Sequence, residues 1–269
     1  MLPADLCLRR PPGQQEIEPP FPLSTGSAAG NSWDAAALHG LLELIERDAA
    51  SLWWQGGNRG KSIPPGDEAE VMAETLLAQL RQGASLRRSR LLDITTDIGV
   101  PCVAAVSCLA DGFGLAFGLA ARPTLKAAAR SAVLEMCQGE LAHAVVEAKV
   151  RERGEAALNA RDRIHRRRAT MINADQCLLL QPAAERAEHL NFNTAGSSAV
   201  LRLIVDRLGQ FGIETYGLDL TRPCFAVPVA RVMAPGLQFE PSAIVAPRLA
   251  NMIAQTGGGA AYTGGVALI

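Results

Sequence analysis

The apolar positions of this chain switch between two periods. Leu41, Leu42, Leu44 and Ile45 fall on one broad arc at the helical step, with His39, Glu43, Glu46 and Arg47 on the other side. This pattern predicts a helix that starts at the capping pair Asn31-Ser32, carries Asp34 in its first turn, runs to about Trp54 and stops at Gly56-Gly57. A loop follows over 58–65. Residues 67–82 form a second amphipathic helix with Val71, Leu76, Leu77 and Leu80 on its apolar side and Gly83 as its stop. Short apolar runs predict strands at 91–95 and 102–109, and an Asp111-Gly112 turn leads into a third at 115–121. Thr124 then caps a long helix that extends past Val150.

The remainder reads in the same way. Residues 155–168 are helical and end in a basic run (Arg161, Arg163, Arg166, Arg167, Arg168), and 169–195 is a polar, irregular loop. A helix is expected over 198–211 with Gly212 as its stop, then strands at 213–220 and 227–233. A short strand is available within 21–29. Pro3, Pro11, Pro12, Pro19, Pro20 and Pro22 mark residues 1–20 as an extended arm. Gly257 to Gly259 and Gly264-Gly265 mark 241–269 as a loosely ordered, glycine-rich tail. The central domain is 21–240. Strands and helices do not alternate regularly along it, which favours an α+β fold: a mixed, largely antiparallel sheet packed with helices.

One segment occurs twice. Ala35-Ala36-Ala37-Leu38-His39-Gly40-Leu41-Leu42-Glu43-Leu44-Ile45-Glu46 returns 92 positions later as Ala127-Ala128-Ala129-Arg130-Ser131-Ala132-Val133-Leu134-Glu135-Met136-Cys137-Gln138. The same offset aligns Gly26-Ser27-Ala28-Ala29 with Gly118-Leu119-Ala120-Ala121. Two pseudo-symmetric halves, about 24–57 and 114–150, are therefore expected. Each helix holds a glutamate with a second acid or amide three residues later. If pseudo-symmetry brings the helices together, Glu43, Glu46, Glu135 and Gln138 share one cleft, and hard oxygen ligands of this kind suit Mg²⁺ on a nucleotide. The bland reading is a solvated polar face with a Glu43–Arg47 pair one turn apart. The small neighbours argue against it: Ala36, Gly40 and Ala50 in the first copy, Ala128, Ala132, Gly139 and Ala142 in the second. Such a face is packed or ligand-lined. A purely structural duplication is the remaining alternative.

A formal net charge of −1 gives no global field toward nucleic acid or membrane. The longest apolar run, 102–121, is broken by Asp111-Gly112 and reads as a hairpin rather than a membrane span. Cys7, Cys102, Cys108, Cys137, Cys177 and Cys224 show no CxxC pairing and lie mostly in apolar runs, as reduced thiols of a cytoplasmic protein do. No apolar segment near the start has the form of a signal peptide. His39, His143, His165 and His189 form no HExxH or Glu-x-x-His pair, and there is no Walker A or Gly-x-Ser-x-Gly sequence. Gly112-Phe113-Gly114 with Gly118 fails as a dinucleotide loop because a strand, not a helix, follows. The basic run at 161–168 is either a solvated helix face or a docking patch for an acidic partner.

Three further stretches carry a family resemblance. Ser24-Thr25-Gly26-Ser27-Ala28-Ala29-Gly30-Asn31-Ser32, followed by His39-Gly40-Leu41-Leu42-Glu43-Leu44-Ile45-Glu46-Arg47-Asp48-Ala49, resembles the YcaO family's SNGLAAGN-like segment and its ExxERDA helix. Glu135-Met136-Cys137-Gln138 is similar to that family's second ATP-site helix, ending in ExxQ. Tyr216 to Thr221 and Val227 to Leu237 resemble its closing strands, DLT…PVxRVxxPGL. The likeness spans about 24–238.

The resemblance implies a pseudo-duplicated YcaO-like fold and an ATP- and Mg²⁺-dependent enzyme of the cyclodehydratase or thioamidation type. Such enzymes phosphorylate a backbone amide oxygen of a ribosomally made peptide, in bacteriocin biosynthesis for example, to give an azoline or a thioamide. By position, Glu43, Glu46 and Glu135 would hold Mg²⁺, with Gln138 assisting and Ser27 at the cofactor. Arg47 and Arg231 would offset phosphate charge during catalysis. The implied partners are a precursor peptide and a TfuA-like or ocin-type activator protein, with homodimerisation as a further option and no nucleic acid or membrane. The pattern departs at Gly40, where the family often has Ser, at Ser131 and Glu140, where it often has Arg, and in a short leading stretch. These departures motivate a second reading: a non-catalytic, truncated subunit that binds precursor peptide or scaffolds a modification complex.

Overall fold

The computed structural model describes residues 4–8, 13–14, 16–83, 86–184, 187–190, 192 and 196–268. In chain order its elements are α1 (Ala4–Cys7), β1 (Ser27–Ala29), α2 (Trp33–Trp54), α3 (Glu68–Arg81), β2 (Arg88–Asp93), β3 (Cys102–Cys108), β4 (Ala116–Ala121), α4 (Leu125–Arg153), α5 (Ala160–Met171), α6 (Ser197–Gln210), β5 (Tyr216–Asp219), β6 (Val229–Met233), α7 (Pro247–Thr256) and α8 (Ala260–Thr263). This is the expected mixed α+β fold. The strands form two separate three-stranded sheets, ordered β1-β6-β5 and β2-β3-β4, and every pairing is antiparallel.

By contact the chain divides into two compact units. One comprises Met1–Leu52, Asn191–Asn251 and Ile269, the other Trp53–Leu190 and Met252–Leu268. In the first, α2 buries Leu41, Leu44 and Ile45, and β6 buries Ala230 and Val232. Val200, Ile204 and Leu208 make a buried stripe on α6 at helical spacing. Asp48 of α2 is fully buried. It accepts the Gln238 main-chain N–H at 2.9 Å and pairs with Arg248 at 3.1 Å, so the charge that burial would penalise is matched.

In the second unit, α3 and α4 pack with the β2-β3-β4 sheet around a core of small residues. Ala69, Ala73, Ala105, Ala120, Ala128, Ala129 and Ala132 are each at most 3 % exposed, and Val103, Val133 and Met136 complete the cluster. Trp53 and Trp54 are fixed by indole N–H bonds to the carbonyls of Leu179 and Val266, at 2.8 and 2.7 Å. The departure that family comparison notes at Glu140 has a local explanation. Its carboxylate pairs with Arg81 and lies 3.5 Å from Arg87.

The repeat is visible in the backbone. Trp33, the first residue of α2, and Leu125, the first of α4, are 92 positions apart, the offset read from the sequence. The caps match too. The Ser32 hydroxyl accepts the Ala35 N–H, and the Thr124 hydroxyl accepts the Ala127 N–H, both at 3.2 Å. Each helix follows a strand at the edge of its sheet, β1 in one unit and β4 in the other.

Some elements differ from the sequence expectation. Val71 and Leu80 are about half exposed, because α3 turns Ala69 and Ala73 toward the alanines of α4 instead. β2 begins at Arg88, its arginines being matched by Asp175 and by Gln181. The stretch 155–168 splits into a 3₁₀ turn and α5, which extends to Met171 behind a capping box between Asn159 and Asp162. The tail expected to be loose contains α7 and α8, with Gly257 at φ +85° and Gly258 at φ +80° forming the turn between them. Of the proline-rich arm, Pro3, Pro11 and Pro12 lie outside the described residues, as do Asn193 to Ala195 of the 169–195 loop and Ile269 of the tail. Among the described residues no helix is long and apolar enough to cross a membrane. The cysteines are free. Cys7, Cys102, Cys108 and Cys177 are buried, whereas Cys137 is half-buried and Cys224 exposed.

Candidate functional site

In each unit glycine lets backbones pass at close range: Gly26, just before β1, against β6; Gly40 of α2 against Gly26; and Gly118 of β4 against α4. A Cβ at Gly26 would stand 2.4 Å from the Val232 carbonyl oxygen, and one at Gly40 would stand 2.5 Å from that of Gly26. A Cβ at Gly118 would stand 2.1 Å from the Ala132 carbonyl oxygen and 2.3 Å from the Met136 nitrogen. Gly118 and Ala132 are the repeat partners of Gly26 and Gly40. The small residues beside the glutamates therefore make a packing seam: Ala36, Ala50, Ala128 and Ala132 have no exposure at all. This corrects half of the sequence reading. The small neighbours let a strand backbone rest on the helix and need no ligand to explain them.

The seam also brings main-chain N–H groups to the glutamates, from the turn before β1 in one unit and from β4 in the other. Gly26 donates its main-chain N–H to Oε2 of Glu43 at 3.0 Å, and Leu119 donates its own to Oε2 of Glu135 at 2.8 Å. In each unit one oxygen of the carboxylate is thereby anchored and its orientation set. Oε1 of Glu135 has no partner among the described residues and the side chain is exposed. Among the described residues Oε1 of Glu43 has Arg47 as its partner, at 3.9 Å. Gln138, one turn beyond Glu135, is likewise exposed.

Glu46 is 9 % exposed, and the Arg47 guanidinium lies 3.8 Å from it. Arg47 thus stands between two carboxylates at distances near the outer limit of an ion pair. His39 is exposed, and its Nδ1 donates to the Ala29 carbonyl at 3.1 Å, which leaves Nε2 as the acceptor nitrogen.

Arg231, on β6, is fully buried. Its guanidinium donates to the carbonyls of Leu6, Leu23 and Thr25 and to the Ser27 hydroxyl, the last at 3.1 Å. Burial pushes its pKa down from the ordinary guanidinium value, with Cys7 and Glu43 acting in the opposite direction. Ser27 in turn donates to the Leu23 carbonyl at 3.1 Å. Arg231 and Ser27 therefore meet in one network that pins the chain leading into β1, and through it the Gly26 N–H that orients Glu43. Neither that network nor the Asp48–Gln238 bond is readable from residue spacing. The only sequence signal for them is the recurrence of these polar residues within otherwise apolar stretches.

A carboxylate oriented by a main-chain N–H in each unit fits a hard divalent cation. The main-chain donor behind each one does the orienting that an outer-shell group does at a metal site. Among the described residues, neither unit alone gathers three His, Cys, Asp or Glu side chains into a ready metal cage. The glutamates thus suit a cation that arrives with other oxygen ligands, such as nucleotide phosphates.

A family model described as YcaO cyclodehydratase, ATP- and Mg²⁺-binding, matches residues 1–238. This chain belongs to the YcaO family. Its cofactors are accordingly ATP and Mg²⁺, the pair in that description. An uncharacterized protein in the tfuA 3′ region of Rhizobium leguminosarum bv. trifolii is 30% identical over 247 residues, 86% of this chain and 54% of that protein. An uncharacterized protein of Methanothermobacter thermautotrophicus is 29% identical over 224 residues, 80% of this chain and 55% of its own. The chain thus spans about half the length of the curated relatives it matches. Among solved structures, a heterocyclase in complex with substrate and cofactor superposes with a TM-score of 0.73 at 26% identity, over 95% of this chain and 34% of that one. The YcaO fold of this chain is built on the duplicated strand–cap–helix piece described above.

Proposed function

We propose that this YcaO chain uses MgATP to activate a backbone amide of a ribosomally made peptide, and that the glutamates of α2 and α4 supply the Mg²⁺ ligands. The observation that carries the reading is the recurrence, in both repeats, of a carboxylate with one oxygen fixed by a main-chain N–H of the segment before the helix. A structural duplication has no need to repeat that bond, whereas a metal site needs its ligands held still. Bound MgATP would supply the phosphoryl group that makes the amide oxygen a leaving group, ADP departing with the electrons of the broken bond. Glu43, Glu46 and Glu135 would hold the ion and Gln138 would assist. Arg47 would balance phosphate charge while remaining near both α2 glutamates. The Arg231 network would act by positioning, since the Leu6, Leu23 and Thr25 carbonyls occupy its donors.

Phosphoryl transfer asks a protein for placement and charge neutralisation more than for covalent chemistry, which suits rigid helix-borne carboxylates. Closure by a neighbouring Cys, Ser or Thr would give an azoline, and attack by an external sulfide a thioamide. The relative in a tfuA 3′ region supports a TfuA-like protein as the partner, and a heterocyclase solved with its substrate supports a peptide as the ligand. The test is mass spectrometry of a candidate precursor peptide incubated with the chain, its partner and MgATP. Loss of one water per site marks an azoline, and replacement of oxygen by sulfur marks a thioamide. An unchanged peptide together with absent ATP hydrolysis would defeat the enzymatic reading and favour a scaffold subunit.

A further inference from the structure

Within the Trp53–Leu190 part of the second unit, β2 is the edge strand of its sheet, and a cleft opens along it. Lys61 pairs with the far end of the strand: its N–H donates to the Asp93 carbonyl at 2.8 Å and its carbonyl accepts the Asp93 N–H at 3.0 Å. In an antiparallel ladder, alternate residues point their N–H and C=O groups to the same side. Leu91 and Ser89, which share the parity of Asp93, therefore turn theirs to the outer edge, while Ile94 on the other parity bonds inward to Cys102. After Lys61 the chain leaves this line, because the Ser62 N–H bonds to the Ala183 carbonyl at 2.9 Å. Among the described residues, none pairs with the outer edge of Leu91 and Ser89.

A cavity of about 260 Å³ occupies that place, bounded by β2, α3, α4 and the 62–63 segment. Its floor is apolar: Ala73, Leu77, Leu91, Val133 and Met136. Its rim is acidic, with Glu70 and Glu74 one turn apart on α3. Glu70 accepts the Gly66 N–H at 2.7 Å, and Glu74 has no partner among the described residues. The one arginine on the lining, Arg90, is committed to Gln181, to the Leu180 carbonyl and to Asp175. The charge left for a ligand is negative. On α4, Val133 and Met136 lie on the opposite flank from Glu135 and Gln138.

We propose that this cleft binds an extended segment of the substrate peptide as an added strand on β2, with a basic side chain at Glu70 and Glu74 and an apolar one on the Leu77–Met136 floor. Free edge N–H and C=O groups beside pockets for alternate side chains are what strand addition requires. The occupant's identity rests on the peptide-modifying reading above. The cleft and Glu135 use opposite flanks of α4, so a segment held here leaves the Glu135 side of that helix open.

The test is fluorescence anisotropy with the full chain and a short labelled peptide of alternating leucine and lysine. Two control peptides carry glutamate for lysine, or N-methyl groups on alternate amides. Saturable binding is expected, weakened about tenfold or more in either control and in the exposed-site variant Glu74→Lys. No saturable binding, or equal binding of either control, overturns the proposal. Calorimetry with Mg²⁺ and a non-hydrolysable ATP analogue on the same samples separates the two claims. Peptide capture without nucleotide binding refutes the ATP site alone, and nucleotide binding without peptide capture refutes the cleft alone.

Discussion

Gly26 and Glu43 are joined by a 3.0 Å bond from a main-chain N–H to a helix carboxylate, and the second repeat makes the same kind of bond between Leu119 and Glu135 at 2.8 Å. The donor shifts by one residue between the copies while the glutamate stays in register. The acceptor is what has been kept. A glutamine at either position retains an oxygen for the N–H and loses only the charge. Glu43→Gln and Glu135→Gln should therefore leave the melting temperature nearly unchanged while lowering MgATP turnover by roughly 10²–10³. Thermal unfolding and phosphate release, measured on the same samples, check both halves.

The strand–helix seam predicts a stability pattern. Gly26 has φ +83° and a Cβ there would meet the Val232 carbonyl, so Gly26→Ala is strained twice over. Gly118→Ala would meet main-chain atoms of Ala132 and Met136. Each should cost about 1–3 kcal/mol or more. Gly209→Ala is the control. It lies within α6 with open space where a Cβ would go, and should gain roughly 0.5–1 kcal/mol. Urea denaturation of the three variants checks the order.

Asp48 offers a second stability test. Removing it strands the half-buried Arg248 partner and the Gln238 N–H together, so Asp48→Ala should cost about 2–4 kcal/mol. Asp48→Asn should cost less, since an oxygen remains for the N–H. Chemical denaturation distinguishes this buried pair from the exposed Lys126–Glu68 bridge, whose loss should be near neutral.

The second unit should also be acid-sensitive. His143 has a buried Nδ1 with no hydrogen-bond partner among the described residues, and burial lowers its pKa, with Arg87 and Arg166 adding to the effect against Glu147. Burial lowers His165 as well, followed by Arg168 and Arg161. A depressed imidazole takes up its proton more readily in the unfolded chain. The stability it confers is complete above the unfolded value of about 6.5 and is lost as pH falls below it. Melting temperature should decline from pH 7 to pH 5. His143→Gln should flatten that slope by less than about 1.4 kcal/mol per pH unit.

Much of this fold was legible in the sequence because local chemistry and global packing agree. Thr124 and Asp67 cap the helices that follow them, and the hairpin turns beside Asp111-Gly112. The offset of 92 positions placed both strands, both caps and both glutamates. What was not legible is tertiary. Nothing local says that Ala69 and Ala73, rather than Val71 and Leu80, face the core, because that depends on the alanines α4 presents in return. The arginines of β2 resemble loop residues until Asp175 and Gln181 arrive from a distant segment. Arg231 resembles a phosphate ligand by position, but its place among buried carbonyls depends on where the chain before β1 runs.

The central proposal is that Glu43 and Glu135 are ligands of the Mg²⁺ that accompanies bound nucleotide. Calorimetry with a non-hydrolysable ATP analogue, with and without Mg²⁺, tests it most directly. The account predicts binding that requires Mg²⁺ and is lost in Glu43→Gln and in Glu135→Gln alike, with both variants folded. Binding that persists without Mg²⁺, or that survives in the doubly substituted chain, would contradict it.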